Sequence, residues 1–235
     1  MVNEMPFLAC ETLFARNHLE LDRQAYEKLD AYAHLLIAES KRQNVTAVRT
    51  LPEIWARHFL DSAYLTGFVT GGNVLDLGTG GGIPAIPLAI LNPLLRITML
   101  DSELRKIEFC QHAVSELGLD AKAVCGRAEE LARETEYEAK YDFAVSRAMA
   151  NGSMLTELAV RFLKTEGCLI AMKGRQYDPS AERFSEAASV LGCRVEHVTE
   201  YMLEGEVKHL ISVRKESDTP AQYPRRYAKI KRSPL

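Results

Sequence analysis

At 235 residues and 47% hydrophobic content, the chain has material for one good-sized packed domain, or for one domain with a smaller extension. No apolar run approaches the roughly 18–20 residues a membrane span needs, and a formal net charge of −3 argues against a uniformly basic nucleic-acid binder. The start, Met1-Val2-Asn3-Glu4-Met5-Pro6, lacks the basic-then-apolar layout of a secretory leader. The five cysteines (Cys10, Cys110, Cys125, Cys168, Cys193) are scattered without a CxxC pair and read as reduced core thiols of a cytoplasmic protein.

In chain order, residues 18–40 predict an amphipathic helix, with Leu29, Tyr32, Ala33, Leu36 and Ile37 at helical spacing. A second helix is predicted from about Thr50, with Pro52 in its first turn, to about Leu65. Thr70-Gly71-Gly72 then punctuates the chain, so 1–70 reads as a helical N-terminal extension. From Asn73 the rhythm becomes strand, helix, strand. Strands are expected at 73–77, 95–100, 121–125, 142–146 and 167–172, with helices near 84–91, 103–117, 127–137 and 153–163 between them. A further helix near 179–190 precedes strands around 193–201 and 207–214. Alternation of this kind implies an α/β fold with a parallel sheet covered on both faces. The last two strands flank only Leu203-Glu204-Gly205-Glu206 and read as a hairpin, so one of them runs antiparallel. The expectation is a Rossmann-like, mostly parallel seven-stranded sheet over 71–216 with an antiparallel C-terminal hairpin strand, the layout of class I methyltransferases. Residues 217–235 form a basic tail.

The richest stretch is Val74-Leu75-Asp76-Leu77-Gly78-Thr79-Gly80-Gly81-Gly82-Ile83-Pro84: an apolar strand, a glycine turn and a helix start. Glycine lets the backbone approach a ligand closely. Gly80-x-Gly82-x-x-Ala85 fits a relaxed dinucleotide pattern, as in a dehydrogenase. An acid inside the strand instead suits a ligand with an ammonium group, such as the methionine part of S-adenosylmethionine. Ligands of such sheets sit beyond the carboxyl ends of the strands, which picks out Asp76, Gly78 and Gly80 after the first strand. Asp101 follows the glycines by about 20 residues, the spacing at which a carboxylate accepts bonds from ribose hydroxyls. It equally suits a cap on the helix begun by Ser102 and Glu103. In Gly126-Arg127-Ala128-Glu129, a backbone N–H at Ala128 and the Glu129 carboxylate could read an adenine edge, or Glu129 could simply favour the helix dipole.

The fourth strand, Ala144-Val145-Ser146-Arg147-Ala148, falls where methyltransferases place the residues nearest the methyl acceptor. It lacks the Asn/Asp-Pro-Pro-aromatic stretch of exocyclic-amine methylation, and it lacks the cysteine nucleophile that a pyrimidine carbon requires. What remains is an acceptor atom already nucleophilic, such as guanine N7, which needs positioning rather than a base. Arg147 could bond that base or form a structural ion pair. On a helix, His58 lies near Asp61 and Ser62 at i+3 and i+4; that polar face is either an acceptor-side wall or a brace. No further His, Cys or Asp falls at metal-ligand spacing around it, so no metal is expected. From Thr219 onward there is no acid, while Arg225, Arg226, Lys229, Lys231 and Arg232 interleave with Tyr223 and Tyr227. That is a solvated tail or a phosphate-binding one.

From Asn44-Val45-Thr46-Ala47 onward the chain resembles the bacterial 16S rRNA guanine-N7 methyltransferases, the RsmG or GidB family. The resemblance rests on Arg57-His58-Phe59-Leu60-Asp61-Ser62, Leu75-Asp76-Leu77-Gly78, Ile83-Pro84-Ala85-Ile86-Pro87-Leu88, Leu100-Asp101-Ser102 and Gly126-Arg127-Ala128-Glu129. It continues through Ser146-Arg147-Ala148, Met172-Lys173-Gly174, His209-Leu210 and Tyr223-Pro224-Arg225-Arg226. It implies S-adenosyl-L-methionine as donor, S-adenosyl-L-homocysteine as product, no metal, and 16S rRNA or the small ribosomal subunit as partner of a monomer. It implies a cofactor site lined by Gly78, Ile83, Asp101, Ala128, Glu129 and Arg147, beside which Asp76, Gly80, Ser102 and Glu103 are expected. Arg147, His58 and Asp61 would serve the acceptor. Lys173 and Arg175 would join the basic tail on the RNA side. Ile83 stands where the family often has Phe or Leu, and Gly81 is a third consecutive glycine expected to loosen the turn. A small-molecule methyltransferase of the same fold and a non-catalytic S-adenosylmethionine-binding regulator are the competing readings.

Overall fold

The computed structural model describes residues 4–235. Met1–Asn3, the first residues of the expected 1–70 extension, lie outside the described residues. Helices α1 (Phe7–Arg16) and α2 (Arg23–Glu39) open the chain. The single helix expected over 18–40 is thus shortened, and α1 was not anticipated: it buries only Cys10 and Phe14, too few positions to show a period. Between the two helices His18 takes a φ of +59°, and α2 restarts where the Asp22 carboxylate accepts the Ala25 N–H at 2.7 Å.

The helix expected over 50–65 is broken into α3 (Leu51–Ile54), a π turn (Trp55–Phe59), α4 (Leu60–Ala63) and a 3₁₀ turn (Tyr64–Gly67). The break accommodates an aromatic cluster. Trp55 lies 6.2 Å from Phe14, 5.5 Å from Tyr26 and 5.1 Å from Phe59, centroid to centroid. One inserted residue in the turn changes which side chains share a face, and such bulges recur at functional sites.

The remaining elements are β1 (Gly72–Leu77), α5 (Ala85–Leu91), β2 (Leu95–Asp101), α6 (Leu104–Leu117), β3 (Ala121–Cys125), α7 (Ala128–Leu131) and β4 (Tyr141–Arg147). There follow α8 (Gly152–Ala159), β5 (Leu163–Lys173), α9 (Pro179–Glu182), α10 (Phe184–Val190), β6 (Cys193–Leu203), β7 (Glu206–Lys215) and α11 (Tyr227–Arg232). The strands form one sheet in the order β3-β2-β1-β4-β5-β7-β6, in which β7 alone runs antiparallel to the others. The helix expected over 127–137 is the single turn α7, and that over 179–190 is split where Arg183 takes a φ of +53°.

One face of the sheet packs under α1–α6, and the other under α7, α8 and α10. The chain leaves β1 toward β2 and β3 on one side and crosses to β4 on the other. That switch point opens a crevice at the carboxyl ends of β1 and β4. Among the described residues no helix is long and apolar enough to cross a membrane.

Candidate active site

At the end of β1 the chain turns through Gly78 (φ +70°), Gly80 (φ +58°) and Gly82 (φ +88°). A Cβ on Gly78 would stand 2.8 Å from Met149 Cγ, so glycine there admits the chain that follows β4. Gly81 does not loosen the turn as expected. A Cβ there would meet the Val45 carbonyl oxygen at 3.1 Å and Leu36 Cδ2 at 3.2 Å, and the Gly81 carbonyl accepts the Tyr32 hydroxyl. The N-terminal helices therefore clamp the glycine loop.

Asp76 is buried beneath that loop. Its Oδ2 accepts the Thr79 hydroxyl at 2.6 Å, while its Oδ1 has no hydrogen-bond partner. Burial pushes its carboxyl up to about 7, against the pull of the Thr79 hydroxyl. An orphaned buried carboxylate oxygen suits a cationic ligand group. Asp101 at the end of β2 accepts the Gly80 N–H on Oδ2 and the Glu103 N–H on Oδ1, both at 3.0 Å. It thus caps the turn into α6 and ties it to the glycine loop, and each oxygen keeps a lone pair for a hydroxyl.

A cavity of about 320 Å³ runs along these strand ends, lined by Gly78, Asp101, Ser102, Glu103, Lys106, Arg127, Ala128, Glu129, Ala148, Met149 and Tyr227. Six residues of the expected cofactor set are together in it. Four are not. Asp76 lies below its floor, and Gly80 is on the loop beside it. Ile83 is packed into the core under α1–α6, and Arg147 faces a second cavity.

That second cavity, about 780 Å³, shares Ala148 with the first. Ala148 has a φ of +56°, a strained conformation for a residue with a Cβ. On its wall His58 and Asp61 do not pair directly, because the π turn has shifted their phase. They meet through Arg147, whose Nη1 donates to His58 Nδ1 at 3.2 Å, to the Arg57 carbonyl at 3.2 Å and to Asp61 Oδ2 at 3.5 Å. A guanidinium is always a donor, so His58 Nδ1 is the acceptor and its Nε2–H faces Thr46 Oγ1 at 2.7 Å. Burial and the Arg147 charge hold His58 down at about 3, so it stays neutral. The other Asp61 oxygen accepts the Tyr201 hydroxyl at 2.6 Å, and Tyr201 is pushed far up by burial and by that carboxylate. Thr46 and Tyr201 were given no role from the sequence. Thr46 lies in a quoted motif, but the strand that carries Tyr201 bears no local signal of chemistry.

Two residues expected on the RNA side are already engaged. Lys173 Nζ bonds the Ala150 carbonyl at 2.8 Å and Glu182 at 2.7 Å. Arg225 donates its backbone N–H and Nε at 2.8 Å, and Nη2 at 2.5 Å, to the fully buried Glu157. Both cations thus carry internal contacts, while Lys173 also lines the second cavity. Arg175, Arg226, Lys229, Lys231 and Arg232 are exposed. A further cavity, about 1120 Å³, opens beside Leu95 and Asp120 at the amino ends of the strands, away from this crevice. Among the described residues no cluster of three or more His, Cys, Asp or Glu is placed to hold a metal ion.

Residues 25–211 match the profile of the family described as GidB, rRNA small subunit methyltransferase G. A protein of Thermoanaerobacter sp. (strain X514) named ribosomal RNA small subunit methyltransferase G is 35% identical over 218 residues, 89% of this chain and 90% of that one. Proteins of the same name from Desulfitobacterium hafniense (strain Y51) and Lactococcus lactis subsp. cremoris (strain SK11) are 35% and 31% identical, covering 94% and 97% of this chain and 93% and 98% of theirs. Among solved structures, YcgJ of Bacillus subtilis aligns with a TM-score of 0.51 at 13% identity, over 68% of this chain and 100% of its own. A candidate methyltransferase of Bacillus halodurans aligns at 0.51 and 14% identity, over 67% of this chain and 99% of its own. The fold is that of the class I S-adenosylmethionine-dependent methyltransferases.

Proposed function

The chain belongs to the rRNA small subunit methyltransferase G (GidB) family, and from that premise we propose that it methylates N7 of a guanine in 16S rRNA, using S-adenosylmethionine. The observation that carries the reading is the junction of the two cavities at Ala148. The narrower one suits an adenosyl cofactor and the wider one a nucleobase. Asp101 would accept the ribose hydroxyls, Ala128 and Glu129 would meet the adenine, and Gly78 with the orphaned Asp76 oxygen would take the methionine end. The cofactor, when bound, supplies an electrophilic methyl on a good leaving group and leaves as S-adenosylhomocysteine.

The acceptor wall favours N7 because the polar groups at its centre, His58, Asp61 and Arg147, are committed to one another, while its remaining carboxylates, Glu53, Glu204 and Glu206, are exposed to solvent. His58 is neutral with its lone pair taken by Arg147, and Asp61 is held by Tyr201 and Arg147. Guanine N7 carries a lone pair and no proton, so nothing has to be removed from it. The chain's task is then to hold N7 about 3 Å from the methyl carbon along the C–S axis, which is catalysis by orientation. The Nε and Nη2 donors of Arg147 remain for the guanine O6 beside N7. Arg175, Arg226, Lys229, Lys231 and Arg232 would neutralise phosphates. The protein would work as a cytoplasmic monomer on free 16S rRNA or the small subunit.

Labelled S-adenosylmethionine incubated with small subunits, with naked 16S rRNA and with a small-molecule extract tests the substrate class. Label in RNA is expected. Label in the small-molecule fraction alone would support a small-molecule methyltransferase, and cofactor binding without transfer would support a regulator.

A further inference from the structure

Building on the strand-end cavity as the S-adenosylmethionine site, we propose that the C-terminal segment closes that site and that Tyr227 packs against the adenine end of the cofactor. Tyr227, the first residue of α11, lines the cavity together with Ser102, Ala128 and Glu129. It is half-buried, and the Arg127 guanidinium lies 4.4 Å from its ring centroid. A cation on one face fixes the ring's orientation and strips water from that face. An aromatic ring so held offers a purine a stacking or edge contact, and its phenol offers a hydrogen bond.

The segment that carries Tyr227 is docked rather than frayed. Ile230 is fully buried in the same core as Leu77, Leu100 and Ala128. The Arg133 guanidinium bonds the Ala221, Gln222 and Pro224 carbonyls at 3.3, 3.2 and 2.8 Å. Arg225 is clasped by the buried Glu157. Contacts from Arg133, just beyond α7, and from α8 therefore set where the tyrosine stands before any ligand arrives, which lowers the ordering cost of the contact on binding.

The test is calorimetric titration of the full-length protein, without RNA, by S-adenosylhomocysteine and by adenosine. Tyr227→Ala is expected to weaken both by the same factor, about five- to fifty-fold, as loss of a stacking ring does elsewhere. Tyr227→Phe is expected to stay within about twofold, since the ring is kept. Equal affinity of wild type and Tyr227→Ala for S-adenosylhomocysteine overturns the assignment. If Tyr227→Ala does not fold, Tyr227→Trp decides. A saturable change in its emission, over the constant background of buried Trp55, supports contact with the purine, and no change overturns it. If S-adenosylhomocysteine does not bind the wild type, the cofactor reading falls, and this inference with it. If it binds wild type and all variants alike, only the inference falls.

Discussion

Replacing Glu157 by Gln should release the C-terminal segment. The carboxylate is fully buried in α8 and accepts three hydrogen bonds from Arg225. Glutamine keeps the oxygen that accepts the backbone N–H and Nε, but turns an NH₂ toward Nη2. The charge-assisted Nη2 bond is lost, at about 1.5–3 kcal/mol, and that donor is left facing another, at about 1–3 kcal/mol more. Relief of the buried carboxylate's desolvation offsets part of this, and Arg225, whose side chain is 13% exposed, recovers some hydration. The net loss is about 2–4 kcal/mol, falling on the docking of residues 223–232 and not on the sheet. The undocked population then rises roughly 30- to 900-fold, and so does the rate of tryptic cleavage within the segment when opening is fast compared with cleavage. The assay is native-state trypsin digestion followed by intact-mass analysis. Cleavage of Glu157→Gln at the wild-type rate would refute the reasoning.

Asp101→Asn keeps an acceptor for one backbone N–H but removes the charge, and should raise the S-adenosylhomocysteine dissociation constant about ten- to hundredfold; an unchanged value in calorimetry would remove Asp101 from the cofactor site. His58 is held neutral down to about 3, whereas an unfolded histidine takes up a proton below about 6.5. Its contribution to stability is therefore present above that value and lost as the pH falls from about 6.5 toward 3. Between about pH 7.5 and 5.5 the loss is about 1.4 kcal/mol. Urea unfolding should show that loss shrinking in His58→Gln, and the same pH dependence in both proteins would contradict the assignment. Replacing Lys229, Lys231 and Arg232 together by Gln should reduce the slope of log affinity for 16S rRNA against log salt by up to about 2–3. Cofactor affinity should stay unchanged, and an unaltered slope would place these cations off the RNA.

The sheet was legible because its central strands are apolar runs bounded by turn residues, and because the glycine motif marks the switch point at β1. The closing hairpin was legible too, but not which of its strands opposes the sheet: β7, after the two-residue turn Glu204-Gly205, inserts between β5 and β6. What was not legible depends on residues far apart in the chain. Tyr201 reaches Asp61 across 140 positions, and Arg225 reaches Glu157 across 68, pairings with no local spacing to betray them. The π turn hid the true relation of His58 to Asp61, since it is stabilised by the packing of Trp55 and Phe59 rather than by any residue preference. A run of arginines and lysines read as one uniform basic tail. Its division into an internal clasp at Arg225 and exposed cations beyond it follows from burial of Glu157, which the sequence places on an ordinary helix.

The central claim is the acceptor atom. It is tested most directly by methylating 16S rRNA or small subunits with the purified protein, digesting the RNA to nucleosides and identifying the product by mass spectrometry against standards. The account predicts 7-methylguanosine as the single new nucleoside, absent with Arg147→Ala. Methyl on a pyrimidine, on an exocyclic amine or on a ribose hydroxyl would contradict it, since each of those acceptors calls for a nucleophile or a base, and His58 and Asp61 beside Arg147 are already bonded.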